Sequence, residues 1–291
     1  MVTEERVREL ERRIRLLTAL YESAKAEKLR LASLIVAQRL AGEEYLTKPL
    51  DSKEQLAERI RSDLRTKGVS LDLNELMERL PSNYSLLVEG PAGVGKAEYC
   101  LSLAKHYLPN GCSIVWVTTD ASPDEVKEAA KKADLDLDKY EEKTFVFVDG
   151  FSGSTQRKYP KGIWVDAVNL TDLSIAVGQA VEAVGKPARI VFNSISTLFL
   201  HNPPEPVLRF FRVLTTRVKS EYGFVIFVLH SGMLDEALVN AMRSLVDGVI
   251  EMSFDEQLNR RFRVHHMRGV RVDTKWVGYE VTERGFELKP G

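Results

Sequence analysis

The sequence predicts an α/β protein with a mostly parallel central sheet covered by helices on both faces, preceded by an α-helical N-terminal extension. Three observations carry this. Short apolar runs (SLLVE, SIVWVT, TFVFV, ARIVF and FVIFVL) alternate with helical stretches from residue 84 onward, the pattern of strands buried on both faces. A glycine-rich turn, GPAGVGK, joins the first of these runs to a helix. Upstream, residues 4–45 hold no proline and no glycine before Gly42, and are dense in Glu, Arg, Lys, Leu and Ala.

Taken in order, Val7, Leu10, Ile14, Leu17, Tyr21 and Ala24 are spaced by three and four, the seam of a coiled coil or a two-helix pair. Lys28 interrupts the seam before Leu31 and Ile35 resume it. The segment reads as a dimerisation or docking helix, or as an amphipathic helix folded onto its own domain. Thr47-Lys48-Pro49 ends it, since proline cannot continue a helix. Asp51 to Glu54 resembles a capping box, opening a short helix striped by Leu56, Ile60 and Leu64 and closed by Gly68. Asp72 and Glu75 open another, which stops at Pro81. The chain is therefore expected to divide into a long helix (1–48), a helical connector (49–83) and an α/β domain (84–291).

Within that domain strands are expected at Ser85–Glu89, Ser113–Thr118, Thr144–Val148, Ala188–Phe192 and Phe224–Leu229. Helices are expected at Lys96–Tyr107, Pro123–Ala133, Asp172–Val184 and Pro206–Glu221, and beyond Leu234. Ser122 is the N-cap expected before Pro123. Later strands around Gly248–Met252, Arg261–Met267 and Trp276–Val281 would extend the sheet antiparallel.

The turn fits G-x-x-x-x-G-K, a phosphate-binding loop, and its flanking strand and helix are the context that motif requires. Gly90, Gly93 and Gly95 permit close backbone approach, Val94 lies between them, and Lys96 would reach the outer phosphates of ATP or ADP. The next position of such a loop is a metal-ligating hydroxyl, and here it is Ala97. Glu98 follows in the first helical turn, where it would suit the helix dipole if it faced solvent and repel a triphosphate if it faced inward.

Composition narrows the partners. The 291 residues carry a formal net charge of −1 and are 44% hydrophobic, which gives no reason to expect bulk binding to nucleic acid or an anionic membrane. Two cysteines show neither a disulfide framework nor metal-ligand spacing, and the charged start lacks a signal peptide's apolar segment, so a reducing cytoplasmic location is expected.

Several further segments resemble one family in order: WVTTDASPDEV, FVFVDGFSG, NLTDLSIAVGQAVEAVG, RIVFNSISTLF, VLRFFRVL, SLVDGVIEM and RVHHMRG, together with SLLVEGPAGVGK. From Pro81 to Leu288 the chain resembles the KaiC-like branch of the RecA-type P-loop ATPases, which includes archaellum accessory ATPases and archaeal RecA paralogues. The resemblance implies a RecA-like core, ATP as ligand and assembly through a RecA-type interface, with itself or with an active relative; residues 4–45 offer a second contact.

The same resemblance marks departures. The family's strand-end carboxylate that steadies the metal's waters falls on Asn193, which brings no charge. Its paired glutamates, which polarise the attacking water, fall on Asp120 and Ala121. Its Lys-x-Arg, extended toward a neighbouring subunit's phosphate, reads His266-Met267-Arg268. These losses imply a nucleotide-binding protein with impaired hydrolysis, to which Mg²⁺ is weakly held or dispensable. A working ATPase that recruits Asp120 or Asp149 to the metal and an adaptor with a vestigial loop remain alternatives. Alternation would put Phe262, Val264, His266 and Arg268 on one strand face, with Arg261, Arg263 and His265 on the other. This basic stretch is expected at a subunit interface; DNA contact, without interleaved aromatics, is not favoured.

Overall fold

The computed structural model describes residues 77, 80–152, 159–270, 272–282 and 285–288. The expectations for 1–48, and those for the helical connector other than residues 77 and 80–83, lie outside the described residues.

Ten strands form one sheet: β1 (Ser85–Gly90), β2 (Ser113–Thr118), β3 (Phe145–Asp149), β4 (Ile163–Trp164), β5 (Ala188–Asn193), β6 (Gly223–His230), β7 (Gly248–Phe254), β8 (Arg260–Met267), β9 (Val277–Thr282) and β10 (Gly285–Leu288). Their order is β10-β9-β8-β7-β1-β6-β5-β2-β3-β4. Every pairing from β7 to β4 is parallel, and β7-β8, β8-β9 and β9-β10 are antiparallel. The expected parallel core with a late antiparallel extension is what the chain forms. Strands β4 and β10 were not anticipated.

Among the described residues from β1 onward the α-helices are α1 (Lys96–Tyr107), α2 (Pro123–Lys132), α3 (Leu170–Val184), α4 (Leu198–His201), α5 (Pro204–Arg217) and α6 (Glu236–Leu245). Strand β1 explains why they fall on two faces. Leu86 and Val88 bury into a cluster shared with Tyr99, Leu103, Val126 and Ala130 of α1 and α2. Leu87 points the other way, into a cluster with Val177 and Val181 of α3, Phe211 of α5 and Met242 of α6. Burial on both faces is why these strands are continuously apolar rather than alternating.

Helix ends follow local chemistry. Ser122 caps α2 in a complete capping box: its Oγ accepts from the Glu125 N–H, and Glu125 returns a carboxylate to the Ser122 N–H. Helix α3 starts two residues before expectation because Asn169 is the cap, accepting from the N–H groups of Thr171 and Asp172. Helix α5 ends at Arg217 rather than running to Glu221, since Val218–Tyr222 widens into a π-helical turn closed by Gly223 at φ 123°.

Strand β8 departs from the expected alternation. Val249 pairs with His266 while the next residue, Ile250, pairs with Val264, so His265 is an extra residue bulged out of the ladder. Phe262, Val264 and Met267 are the buried side. The bulge carries His266 and Arg268 to the opposite face, the one that holds Arg261 and Arg263.

Candidate nucleotide site

The strand-to-helix turn has phosphate-loop geometry. Gly95 precedes α1 with φ 107° and ψ 25°, a left-handed conformation in which a side chain is strained. A Cβ there would lie 2.7 Å from Val281 Cγ2, and one on Gly90 would lie 2.5 Å from the Met252 carbonyl oxygen. The C-terminal strands therefore back the loop closely. Tyr279 completes that support by donating its buried hydroxyl to the Val94 carbonyl at 2.6 Å. On the other side the Ser231 N–H donates to the Gly90 carbonyl at 2.9 Å.

Lys96, only 4% exposed, turns back along the loop and donates to the carbonyls of Gly90 (2.7 Å) and Pro91 (2.6 Å). Burial pulls its ammonium down to about 8; the charge of Asp120 opposes that shift most, and Glu98 opposes it less. Glu98 lies on the hairpin side of the loop, its Oε2 3.9 Å from the Cβ position of Gly95 beside Val281 and Tyr279. Its charge is felt at Lys96.

The strand ends beside the loop are stitched together. The Thr119 N–H donates to the Asn193 carbonyl (2.9 Å) and its hydroxyl to the Ser194 carbonyl (2.6 Å). Asn193 is 5% exposed and closes β5, which lies between β2 and β6. The His230 N–H donates to Ser196 Oγ at 2.7 Å, and His230 Nε2 lies 3.3 Å from Asp120 Oδ2. Ala121, half-buried, packs its methyl against the α1–α2 core. The structure thus gathers Gly90 to Lys96, Asp120, Asn193 and His230 at the C-terminal ends of β1, β2, β5 and β6, where open α/β sheets bind ligands.

It does not bring His266 and Arg268 to this point. Arg268 donates its N–H to the Asp247 carbonyl (2.8 Å) and sets its guanidinium 3.5 Å from the Asp247 carboxylate. That carboxylate is bound by Ser85 and Lys219 at the N-terminal end of β1, about 16 Å along the strand from Gly90. His266 is held below the usual histidine range, first by burial and then by His265, Arg268 and Arg243, so it is neutral near pH 7.

Sequence reasoning missed four contributors. Arg260 sets Nη2 3.4 Å from the Gly93 carbonyl at the tip of the loop. Tyr279 and His230 are described above. Glu89, 1% exposed in the residue before Gly90, is held by Arg243 of α6, whose Nε lies 3.0 Å and 3.1 Å from its two oxygens. His230 was findable as the polar residue closing the apolar run FVIFVL; the others had no local signal.

A twisted parallel sheet with this loop at its switch of strands defines a P-loop nucleotide-binding protein of the RecA type. The family model described as "ATPase: KaiC" matches residues 64–291, and the chain belongs to that family. A UPF0273 protein of Pyrococcus furiosus is 26% identical over 221 residues, covering 72% of this chain and 87% of that protein. A UPF0273 protein of Methanopyrus kandleri is 25% identical over 219 residues, covering 72% and 86%. Among solved structures, a KaiC-like protein of Pyrococcus horikoshii shares the fold with TM-score 0.59 at 19% identity, covering 72% of this chain and 91% of that one. Among the described residues no helix is long and apolar enough to cross a membrane.

Proposed function

We propose that this chain binds ATP or ADP, hydrolyses ATP very slowly or not at all, and acts as a regulatory or scaffolding subunit through assembly with itself or with an active relative. The observation that carries the reading is a mismatch within one site. The phosphate-gripping parts are intact: left-handed Gly95, buried Lys96 and a loop braced by Tyr279. The metal-supporting parts are not, because Ala97 has no side-chain oxygen and Asn193 brings no charge. These residues do not fit a family-type Mg²⁺, which leans on one or two protein ligands beside the phosphates. Loss of a supporting group typically costs about 10- to 100-fold in metal affinity or activity.

Asp120, at the position of the attacking-water base, points to His230 and is a methylene shorter than glutamate. A nucleotide that favours one assembly state shifts that equilibrium without being spent. His266 and Arg268, on the sheet face away from their own loop, are the residues for a neighbouring subunit's phosphate, and residues 4–45 are the second candidate contact. DNA is the less favoured partner for the basic face.

The test measures ATP and ADP affinity with Mg²⁺ and with EDTA, alongside steady phosphate release. Binding that ignores EDTA, with negligible release, is expected. The double variant Ala97→Ser with Asn193→Asp should make binding metal-dependent. Turnover at ordinary ATPase rates that Lys96→Ala abolishes would establish a working ATPase instead. No binding of either nucleotide at millimolar concentration would point to a vestigial loop.

A further inference from the structure

We infer that His265 and His266 form a zinc-binding pair at the bulge of β8, their two Nδ1 atoms supplying two of the four positions of a tetrahedral ion. The site is separate from the phosphate loop and does not rest on nucleotide binding.

Adjacent residues of a regular strand point to opposite faces, so two consecutive histidines carry no metal signature in the sequence. The bulge changes that. With Val249 opposite His266 and Ile250 opposite Val264, His265 is left without a ladder partner, and its ring lies beside that of His266. The ring centroids are 5.6 Å apart and the planes cross at 79°. The two Nδ1 atoms face each other across 3.4 Å.

An N–H hydrogen bond would close that gap to about 3.2 Å or less. Two Zn–N bonds of about 2.0–2.1 Å, opened to the tetrahedral angle, span about 3.4 Å. A square-planar ion, with neighbouring ligands at right angles, would need the pair at about 2.8–2.9 Å. The spacing therefore selects a tetrahedral ion of the zinc kind. Imidazole nitrogen selects it again over Mg²⁺ and Ca²⁺, which take oxygen ligands.

An ion has access, because His265 is exposed and His266 half-buried. The charges of Arg268 and Arg243 reach His266 and oppose a dication. Arg243, however, is already offset by Glu89 and Glu236, and Arg268, 64% exposed, is screened by solvent. No third His, Cys, Asp or Glu joins the pair among the described residues. The other two positions therefore go to water or to a group from outside the chain, which makes this an open site that binds more weakly than a closed structural one.

The experiment titrates Zn²⁺ into the full chain, freed of metal and nucleotide, and follows the histidine ¹⁵N resonances. One Zn²⁺ should bind per chain, moving the Nδ1 resonances of His265 and His266 while their Nε2 protons stay. His265→Ala and His266→Ala should each lower the affinity by about tenfold or more, and the double variant should lose the site. Mg²⁺ at the same concentration should move neither resonance. Unchanged affinity in either single variant overturns the assignment. So does Zn²⁺ that moves His106, His201, His230 or Cys112 in place of the pair, or a titration that does not saturate below about 1 mM. If a variant does not fold, the Nδ1 resonances of the native protein still decide.

Discussion

Raising the pH from about 7 to about 9.5 should weaken ADP binding by about 30-fold, close to 2 kcal/mol, through the single proton on Lys96. The ammonium is buried against the Gly90 and Pro91 carbonyls and pulled down to about 8. In the free protein it is then about 90% charged near pH 7 and about 3% charged near pH 9.5. Bound phosphate favours the charged form, so the value in the complex lies above 8 and binding at high pH must take up a proton. The sign for the free fold is the reverse of the usual lysine case. A folded value below the ordinary 10.5 means that this group penalises the fold fully below about pH 8 and relieves it as the pH rises toward 10.5.

Few neighbours confuse the window. Burial pushes the Cys100 thiol and the Tyr99 and Tyr279 phenols up and out of it, and a phosphate's last ionisation lies near 6. Calorimetric titration of ADP in buffers of different ionisation enthalpy, without metal, measures both the slope and the proton count. Lys96→Arg is the control, because a guanidinium does not titrate here. A flat profile in the native protein, or a slope that survives in Lys96→Arg, would refute the reasoning.

Two further predictions concern the frame around the loop. Gly95→Ala should lower stability by about 1–3 kcal/mol and remove nucleotide binding, because φ 107° strains any side chain and its Cβ would meet Val281; Gly93→Ala, at φ 74° but with open space around it, carries the backbone strain without the clash and should weaken binding less than Gly95→Ala. Denaturant midpoints and ADP titration check both, and a Gly95→Ala protein of native affinity would contradict the loop geometry. Arg243→Met should cost about 3–5 kcal/mol, since it leaves the Glu89 carboxylate buried and unpaired. The double change with Glu89→Met should recover much of that loss. A cost under about 1 kcal/mol in urea unfolding would show that the pair is not holding α6 to β1.

How far the sequence could be read depended on the range over which each feature is determined. The central parallel strands were legible because burial on both faces leaves an apolar signature that needs no partner to recognise. So was the loop, since glycine spacing and flanking elements are local. Strand β4, two residues at the sheet edge, is too short to leave a pattern, and β10 exists by pairing with β9. Glu89 and Arg243 are separated by 154 positions, and Gly93 and Arg260 by 167; nothing within a window of sequence could join them.

The bulge at His265 is the most instructive case, because a one-residue error there changes a function. Strict alternation would turn His266 and Arg268 toward the core side shared by Phe262 and Val264, the face that packs on α1. With the bulge, Met267 takes the buried side, and His266 and Arg268 join Arg261 and Arg263 on the opposite face. Glu251 and Trp276 are already there: Arg263 pairs with Glu251 at 2.7 Å, and the guanidiniums of Arg261 and Arg263 lie 4.5 Å and 4.7 Å from the Trp276 ring. Arg261 and Arg263 are thus stacked on an aromatic ring, and Arg263 is paired as well. His266 sits among them as a neutral imidazole, so the charge this face could offer a neighbouring phosphate comes from Arg268, which is 64% exposed and only loosely tethered to Asp247. If this face meets a neighbouring subunit, as proposed, it would offer that subunit's phosphate one arginine and one hydrogen-bonding ring, a loss of charge parallel to that at Ala97 and Asn193 inside the loop.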